Sequence, residues 1–141
     1  IGVSNFEPEH LEQLAEHSEV TPAVNQVELH PAFQQRALRE FQEPRGILTE
    51  SWGPLGQGKY PLEDLSGMPE LAAKHGKSIQ QIVLRWHIQE GLIVFPKTSS
   101  RERLVENIDI FDFQLDAEDM AMLRAMDEGR RVGTHPNEGN W

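Results

Sequence analysis

Four short runs, IGVS at 1–4, AVNQVEL at 23–29, GILTESW at 46–52 and LIVF at 92–95, are rich in β-branched or bulky apolar residues and read as strands. Each is followed by apolar residues at helical spacing. After Pro8, a residue suited to a first helical position, come Leu11, Leu14 and Ala15; after the second run come Ala37, Leu38 and Phe41. Ser78 and Gln81 form a capping box ahead of Ile79, Ile82, Val83 and Trp86, and this helix should stop at Gly91. Ser99 and Glu102 form another box, with Leu104, Val105 and Ile108 as the predicted buried face. Asp116 should cap a last helix carrying Met120, Leu123 and Met126. Alternating strands and helices joined by right-handed crossovers require an α/β fold with a parallel sheet.

Such units make either a small open sheet or half of an eight-unit (β/α)8 TIM barrel. The polar residues inside the strands, Asn25, Gln26, Glu28, Thr49 and Glu50, are out of place in a sheet covered on both faces. They suit strands whose ends line the mouth of a barrel, where sites are built at the C-terminal ends. The half-barrel is expected to span residues 1–127, and residues 128–141, with Gly129, Gly133, Pro136 and Gly139, read as a loop-like tail. The chain opens on Ile1, inside a strand-like run and without an initiator Met, so it is expected to be part of something longer.

With 141 residues, 38% hydrophobic and 26% charged, the chain is long enough for one domain with a real core. The absence of cysteine excludes disulfides and thiolate chemistry, and it fits a reducing, cytoplasmic setting. No metal site is expected, because none of the histidines is spaced as a metal pair. No apolar run approaches the ~20 residues of a membrane span. A net charge of −10 argues against a nucleic-acid partner, since phosphate binding is dominated by Lys and Arg.

The stretch ESWGPLGQGKY contains G-x-x-x-x-G-K, one residue short of a phosphate-binding P-loop. Tyr60 stands where that motif needs a small hydroxyl, and Pro54 removes a backbone donor. Another role is needed. At the C-terminal ends of the strands, Ser4 and Asn5 offer a hydroxyl and an amide, and Gln26 a second amide able to clamp a carboxamide. The same residues could equally cap a helix and fill a polar layer. Trp52 offers a flat face for stacking or a core anchor, and Gly53, Gly56 and Gly58 allow close backbone approach. FPKTSSRERL joins Lys97, Arg101 and Arg103 to hydroxyls at a helix N-terminus, the composition of an anion site or of a capped helix with solvated charges. His30 is the one catalytic candidate among the histidines, although a loop histidine is the commoner outcome.

Taken together, IGVSNF, AVNQVELHP, SWGPLGQGK and VFPKTSSRERLVENIDIFDFQL resemble the aldo-keto reductases, most closely the bacterial diketogluconate reductase branch, in the family's order and nearly end to end. The resemblance implies the C-terminal half of a (β/α)8 barrel, about strands 5 to 8 with their helices. It implies NADPH as cofactor and a small-molecule carbonyl substrate. It places Trp52 on the nicotinamide, Ser4, Asn5 and Gln26 on the carboxamide, and the loop of Gly53, Leu55 and Gln57 along the pyrophosphate. Lys97, Thr98 and Arg103 would take the adenosine 2′-phosphate, and Glu106 and Asn107 the adenine. Thr98 departs from the family's usual Ser by a methyl group.

The larger departure is that the family's catalytic Asp, Tyr, Lys and His come from the first four strands, and Tyr60 does not match the proton donor. No catalytic residue is therefore assigned. The parent is expected to be a monomeric carbonyl reductase, with this half alone inactive and prone to associate. A non-catalytic cofactor-binding sensor on the same barrel and an unrelated phosphate-binding barrel are the alternatives.

Overall fold

The computed structural model describes residues 1–95, 98 and 100–137. Four strands, β1 (Gly2–Ser4), β2 (Val24–Glu28), β3 (Leu48–Trp52) and β4 (Ile93–Val94), form one sheet in sequential order, with every neighbouring pair parallel. The helices are α1 (Pro8–His17), α2 (Arg36–Gln42), α3 (Met68–His75), α4 (Ile79–Gln89), α5 (Arg101–Ile108) and α6 (Ala117–Arg124). Sequential order is what repeated right-handed β/α units produce when each crossover returns on the same side; a doubly wound sheet would reverse its order. The topology thus fits part of a (β/α)8 barrel.

Register sorts the strand residues between two faces. Ser4, Gln26, Glu50 and Ile93 are partners along one layer, so they share a face; Val3, Asn25 and Thr49 share the other. α1 and α2 cover the second face, burying Leu11, Val27, Leu38 and Ile47 against Val3, Phe6 and Phe41. The larger core gathers Leu29, Met68, Leu71, Ile82, Val83, Trp86, Leu115 and Leu123 beside α3, α4 and α6. Each such side chain contributes roughly 1.5–3 kcal/mol by burial. Leu48, on the first face, is 53% exposed.

This sorting corrects the reading of the polar strand residues. Asn25 and Thr49 do not line a barrel mouth. They turn to the helix side, where Asn25 Nδ2 donates to Gln42 Oε1 at 2.7 Å and Gln42 Nε2 donates to Thr49 Oγ1 at 2.7 Å. Asn25 also bonds both backbone groups of Phe6, so its buried amide is satisfied as a strut between β2, α2 and the β1–α1 turn. Only Gln26, Glu28 and Glu50 occupy the other face.

The caps at Ser78 and Asp116 form as expected, each accepting from the third backbone N–H of its helix. At α5 the cap is Ser100, whose Oγ accepts from Arg103 N; Ser99 lies outside the described residues. The predicted buried face of α5 is also corrected. Leu104, Val105 and Ile108 are 53%, 56% and 63% exposed, because among the described residues nothing covers that side of the helix. α3 has no sequence expectation behind it: its N-cap is Gly67 in the left-handed region with no side-chain bond, and the signals that mark it are Pro69 in its first turn and the left-handed Gly76 at its C-cap.

Candidate functional site

At the C-terminal ends of the strands, one set of predicted residues comes together. Ser4 and Gln26 are register partners, and Asn5 N donates to Gln26 O at 2.7 Å. Asn5 has φ 60, a left-handed conformation that Asn tolerates better than most residues. The turn presents its amide to both sides: Oδ1 accepts from Trp52 Nε1 at 2.8 Å and Nδ2 donates to Ser4 Oγ at 3.3 Å. Gln26 Nε2 donates to Glu50 Oε1 at 3.3 Å. Ser4, Asn5, Gln26 and Trp52 therefore form a connected polar floor beside one aromatic ring.

From Trp52 the chain enters the Gly-rich loop. At Gly56, with φ 78, a Cβ would stand 2.7 Å from Tyr60 Cε1, so no side chain fits. The loop ends at a cavity of about 500 Å³ lined by Leu55, Gly58 and Tyr60 together with Thr98, Arg103, Glu106 and Asn107, with Glu63 and Gln80 beside them. α5 is seated there by α4. Ser78 Oγ donates to Glu106 Oε1, and Gln81 Nε2 donates to the carbonyls of Glu106 at 3.0 Å and Asp109 at 3.2 Å. Ser100 N donates to Thr98 Oγ1 at 3.1 Å. Among the described residues the Arg103 guanidinium has no carboxylate partner.

The predicted residues thus fall into two groups, the floor around Trp52 and the cavity at α5, connected by Gly53 and the loop. Gln57 is exposed on that loop and does not line the cavity. Lys97 lies outside the described residues. Arg103 and the α5 N-terminus offer charge and N–H donors to an anion. The floor offers amide donors and acceptors to a planar polar group.

A further set was not assigned by sequence reasoning. Glu28, His30 and Tyr60 form a buried chain, with His30 Nε2 2.9 Å from Glu28 Oε2 and His30 Nδ1 2.6 Å from Tyr60 Oη. Glu28 also accepts from the backbone N–H groups of Val132 at 2.7 Å and Gly133 at 2.8 Å. Burial alone would raise the Glu28 carboxyl, but the hydrogen bonds from His30, Val132 and Gly133 outweigh it and hold it below the ordinary carboxylate range. Burial pushes the Tyr60 phenol up to about 12, so it stays protonated. His30 is thus a packed link rather than an exposed base, and the i, i+2 spacing of Glu28 and His30 is the sequence signal for it. His87 is another core histidine, lowered to about 4 by burial.

Among the described residues, no group of His, Cys, Asp and Glu could hold a metal ion, and no helix is long and apolar enough to cross a membrane.

The chain is similar to known proteins over nearly all of its length. The model of the aldo/keto reductase family matches residues 1–128. Glyoxal reductase of Bacillus subtilis is 46% identical over 138 residues, covering 98% of this chain and 49% of that protein. Methylglyoxal reductase DkgA of Escherichia coli K12 is 44% identical, covering 98% of this chain and 50% of its own length. A mutant of Gox0644 solved in complex with NADPH superposes with a TM-score of 0.94 at 51% identity, covering 100% of this chain and 52% of that one. An aldo-keto reductase of Bombyx mori in complex with NADP gives 0.86 at 34% identity, covering 97% of this chain and 47% of that one. The chain spans about half the length of the curated relatives it matches.

Proposed function

Since the chain belongs to the aldo/keto reductase family, we propose that it is the C-terminal, cofactor-binding half of a (β/α)8 barrel that reduces aldehydes or ketones to alcohols with NADPH. The observation that carries this reading is the placement of the two residue groups at either end of one Gly-rich loop. A polar floor with an aromatic ring fits a nicotinamide and its carboxamide. A cavity at a helix N-terminus whose Arg103 guanidinium has no carboxylate partner among the described residues fits a phosphorylated adenosine. The relatives named as glyoxal and methylglyoxal reductases support a carbonyl substrate, and the structures solved with NADPH and NADP support the cofactor.

The residues present fit that cofactor. Gln26, with donor and acceptor on one amide, and the Ser4 hydroxyl would hold the carboxamide, while Asn5 fixes Trp52 under the ring. Gly58, which lines the cavity and has no atom within 4 Å of where a Cβ would stand, lets the backbone approach a pyrophosphate closely, with Leu55 as its apolar cover. Lys97, Thr98 and Arg103 would bind the 2′-phosphate, and Glu106, held by Ser78, would face the adenine with Asn107. When bound, the cofactor would supply the hydride. The proton for the developing alkoxide is proposed to come from the other half of the barrel, because Tyr60 is buried on His30 and points away from such a role.

Steady-state turnover of NADPH over a panel of aldehydes and ketones tests the proposal. The full-length protein should reduce members of the panel and this chain alone should reduce none. Comparable turnover by the isolated chain would contradict it.

A further inference from the structure

The C-terminal segment is irregular, yet it is bound at successive points. Glu128 N and Arg130 N both donate to Ala32 O, at 3.0 and 2.9 Å, and Val132 N and Gly133 N both donate to the Glu28 carboxylate. The Arg131 guanidinium lies over the Phe33 ring, 4.6 Å from its centre, and Arg130 over Tyr60 at 5.0 Å. At Gly133 this strap meets Trp52. A Cβ built at Gly133 would fall 2.3 Å from Trp52 Cη2 and 2.9 Å from Glu28 Oε1, so backbone lies directly against the indole edge. The opposite side of the same network touches the loop: Tyr60, bonded to His30, sits where a Cβ at Gly56 would collide with it.

We infer that Glu28 is a positioning residue whose carboxylate clamps Val132 and Gly133 onto Trp52, so that the indole is fixed from both sides, by Asn5 at its N–H and by the strap at its far edge. The inference rests on the cofactor reading above, and it gives the buried Glu28–His30–Tyr60 chain a purpose that the assigned contacts leave open. The hydrogen-bond pattern that uses every donor has Ala32 N–H donating to Tyr60 Oη at 3.4 Å, Tyr60 O–H donating to His30 Nδ1, and His30 Nε2–H donating to Glu28. Glu28 is thereby held rigidly from behind while its remaining lone pairs face the strap. An amide at position 28 would present an NH₂ group toward an N–H donor and lose at least one of these bonds.

The effect on ligands should be selective. A loosened Trp52 weakens contact with the nicotinamide ring and leaves Thr98, Arg103, Glu106 and Asn107 in place, since among the described contacts the strap and its network reach the lining of the cavity at α5 through Tyr60 and not through these four residues. The probes are NADPH and adenosine 2′,5′-bisphosphate, which keeps the phosphorylated adenosine and lacks the ring. In the full-length protein, Glu28→Gln and Gly133→Ala should each weaken NADPH roughly tenfold and leave the bisphosphate within about twofold. In cofactor-free protein, Glu28→Gln should speed hydrogen exchange at the Val132 and Gly133 amides, and Gly133→Ala should move the Trp52 indole N–H resonance. Gly133→Ala leaves the Glu28, His30 and Tyr60 side chains unsubstituted, so it keeps the test open should Glu28→Gln fold poorly. Parallel weakening of both probes, or an NADPH affinity unchanged in a protein whose strap amides exchange freely, would overturn the inference alone. A wild-type protein that binds neither probe would overturn the cofactor reading and the inference with it.

Discussion

Trp52 donates its indole N–H to Asn5 Oδ1 over 2.8 Å, joining the end of β3 to the end of β1 across the intervening strand. The bond exists because Asn5 takes φ 60, which turns its side chain toward the sheet's C-terminal edge. A short polar side chain in the left-handed region is thus the hinge on which the aromatic platform is set.

Substitution at Asn5 separates the two effects. Asn5→Ala loses the bond to Trp52 and places a Cβ residue in a conformation costing about 1–2 kcal/mol. Asn5→Gly loses the same side-chain bonds, to Trp52 and Ser4, at about 0.5–1.5 kcal/mol each, and relieves the backbone. Urea unfolding should rank wild type above Asn5→Gly above Asn5→Ala. Equal midpoints for the two variants would show that the backbone at Asn5 carries no strain.

The pH dependence of stability should carry a histidine signature. His87 is depressed from 6.5 to about 4 by burial. Between these values the unfolded chain binds a proton that the folded chain does not, so stability is complete above about pH 6.5 and falls as pH drops toward 4. The loss is at most about 3 kcal/mol, from ~1.36 kcal/mol per pH unit. His87→Gln should flatten the slope in that window when midpoints are measured by denaturant titration at successive pH values.

Glu90 joins α4 to α2 by accepting from Arg36 at 3.1 Å and Arg39 at 2.9 Å. Burial would raise its carboxyl, but the two guanidinium groups hold it below the ordinary 4.5. Its contribution is therefore present above that value and lost as pH falls through the lower folded one. Glu90→Ala leaves two half-buried cations without their partner and should cost about 3 kcal/mol at neutral pH. A thermal midpoint equal to wild type would refute the assignment.

The exposed apolar side chains give an expectation for the isolated chain. Leu48 on the open sheet face, and Leu104, Val105 and Ile108 on α5, are all more than half exposed. Such surface favours association. Sedimentation of this chain alone should show self-association that Leu104→Lys with Val105→Glu reduces, and a compact monomer at high concentration would contradict the expectation.

Much of this architecture was legible in the sequence. The β-branched runs marked all four strands, and Ser78 and Asp116 marked their helices, because a capping side chain and the residue it serves are three positions apart. What was not legible depends on distant partners. Asn25 reads equally as a ligand group or a strut until Gln42 is seen beside it, and Glu28 finds its partners in backbone N–H groups over 100 residues away, which leave no trace in residue type. The apolar stripe of α5 was correctly patterned, but a pattern cannot say whether its cover lies in the same chain.

As the proposed cofactor-binding half of a barrel, this chain should select NADPH over NADH, and Arg103 is the residue at which that selection is tested most directly. Charge-assisted bonds to a 2′-phosphate are worth about 1.5–3 kcal/mol, and ~1.4 kcal/mol is a factor of ten. In the full-length protein, dissociation constants for NADPH and NADH should therefore diverge on Arg103→Ala, NADPH weakening roughly tenfold or more while NADH changes little. Equal weakening of both cofactors, or no weakening of either, would contradict the account.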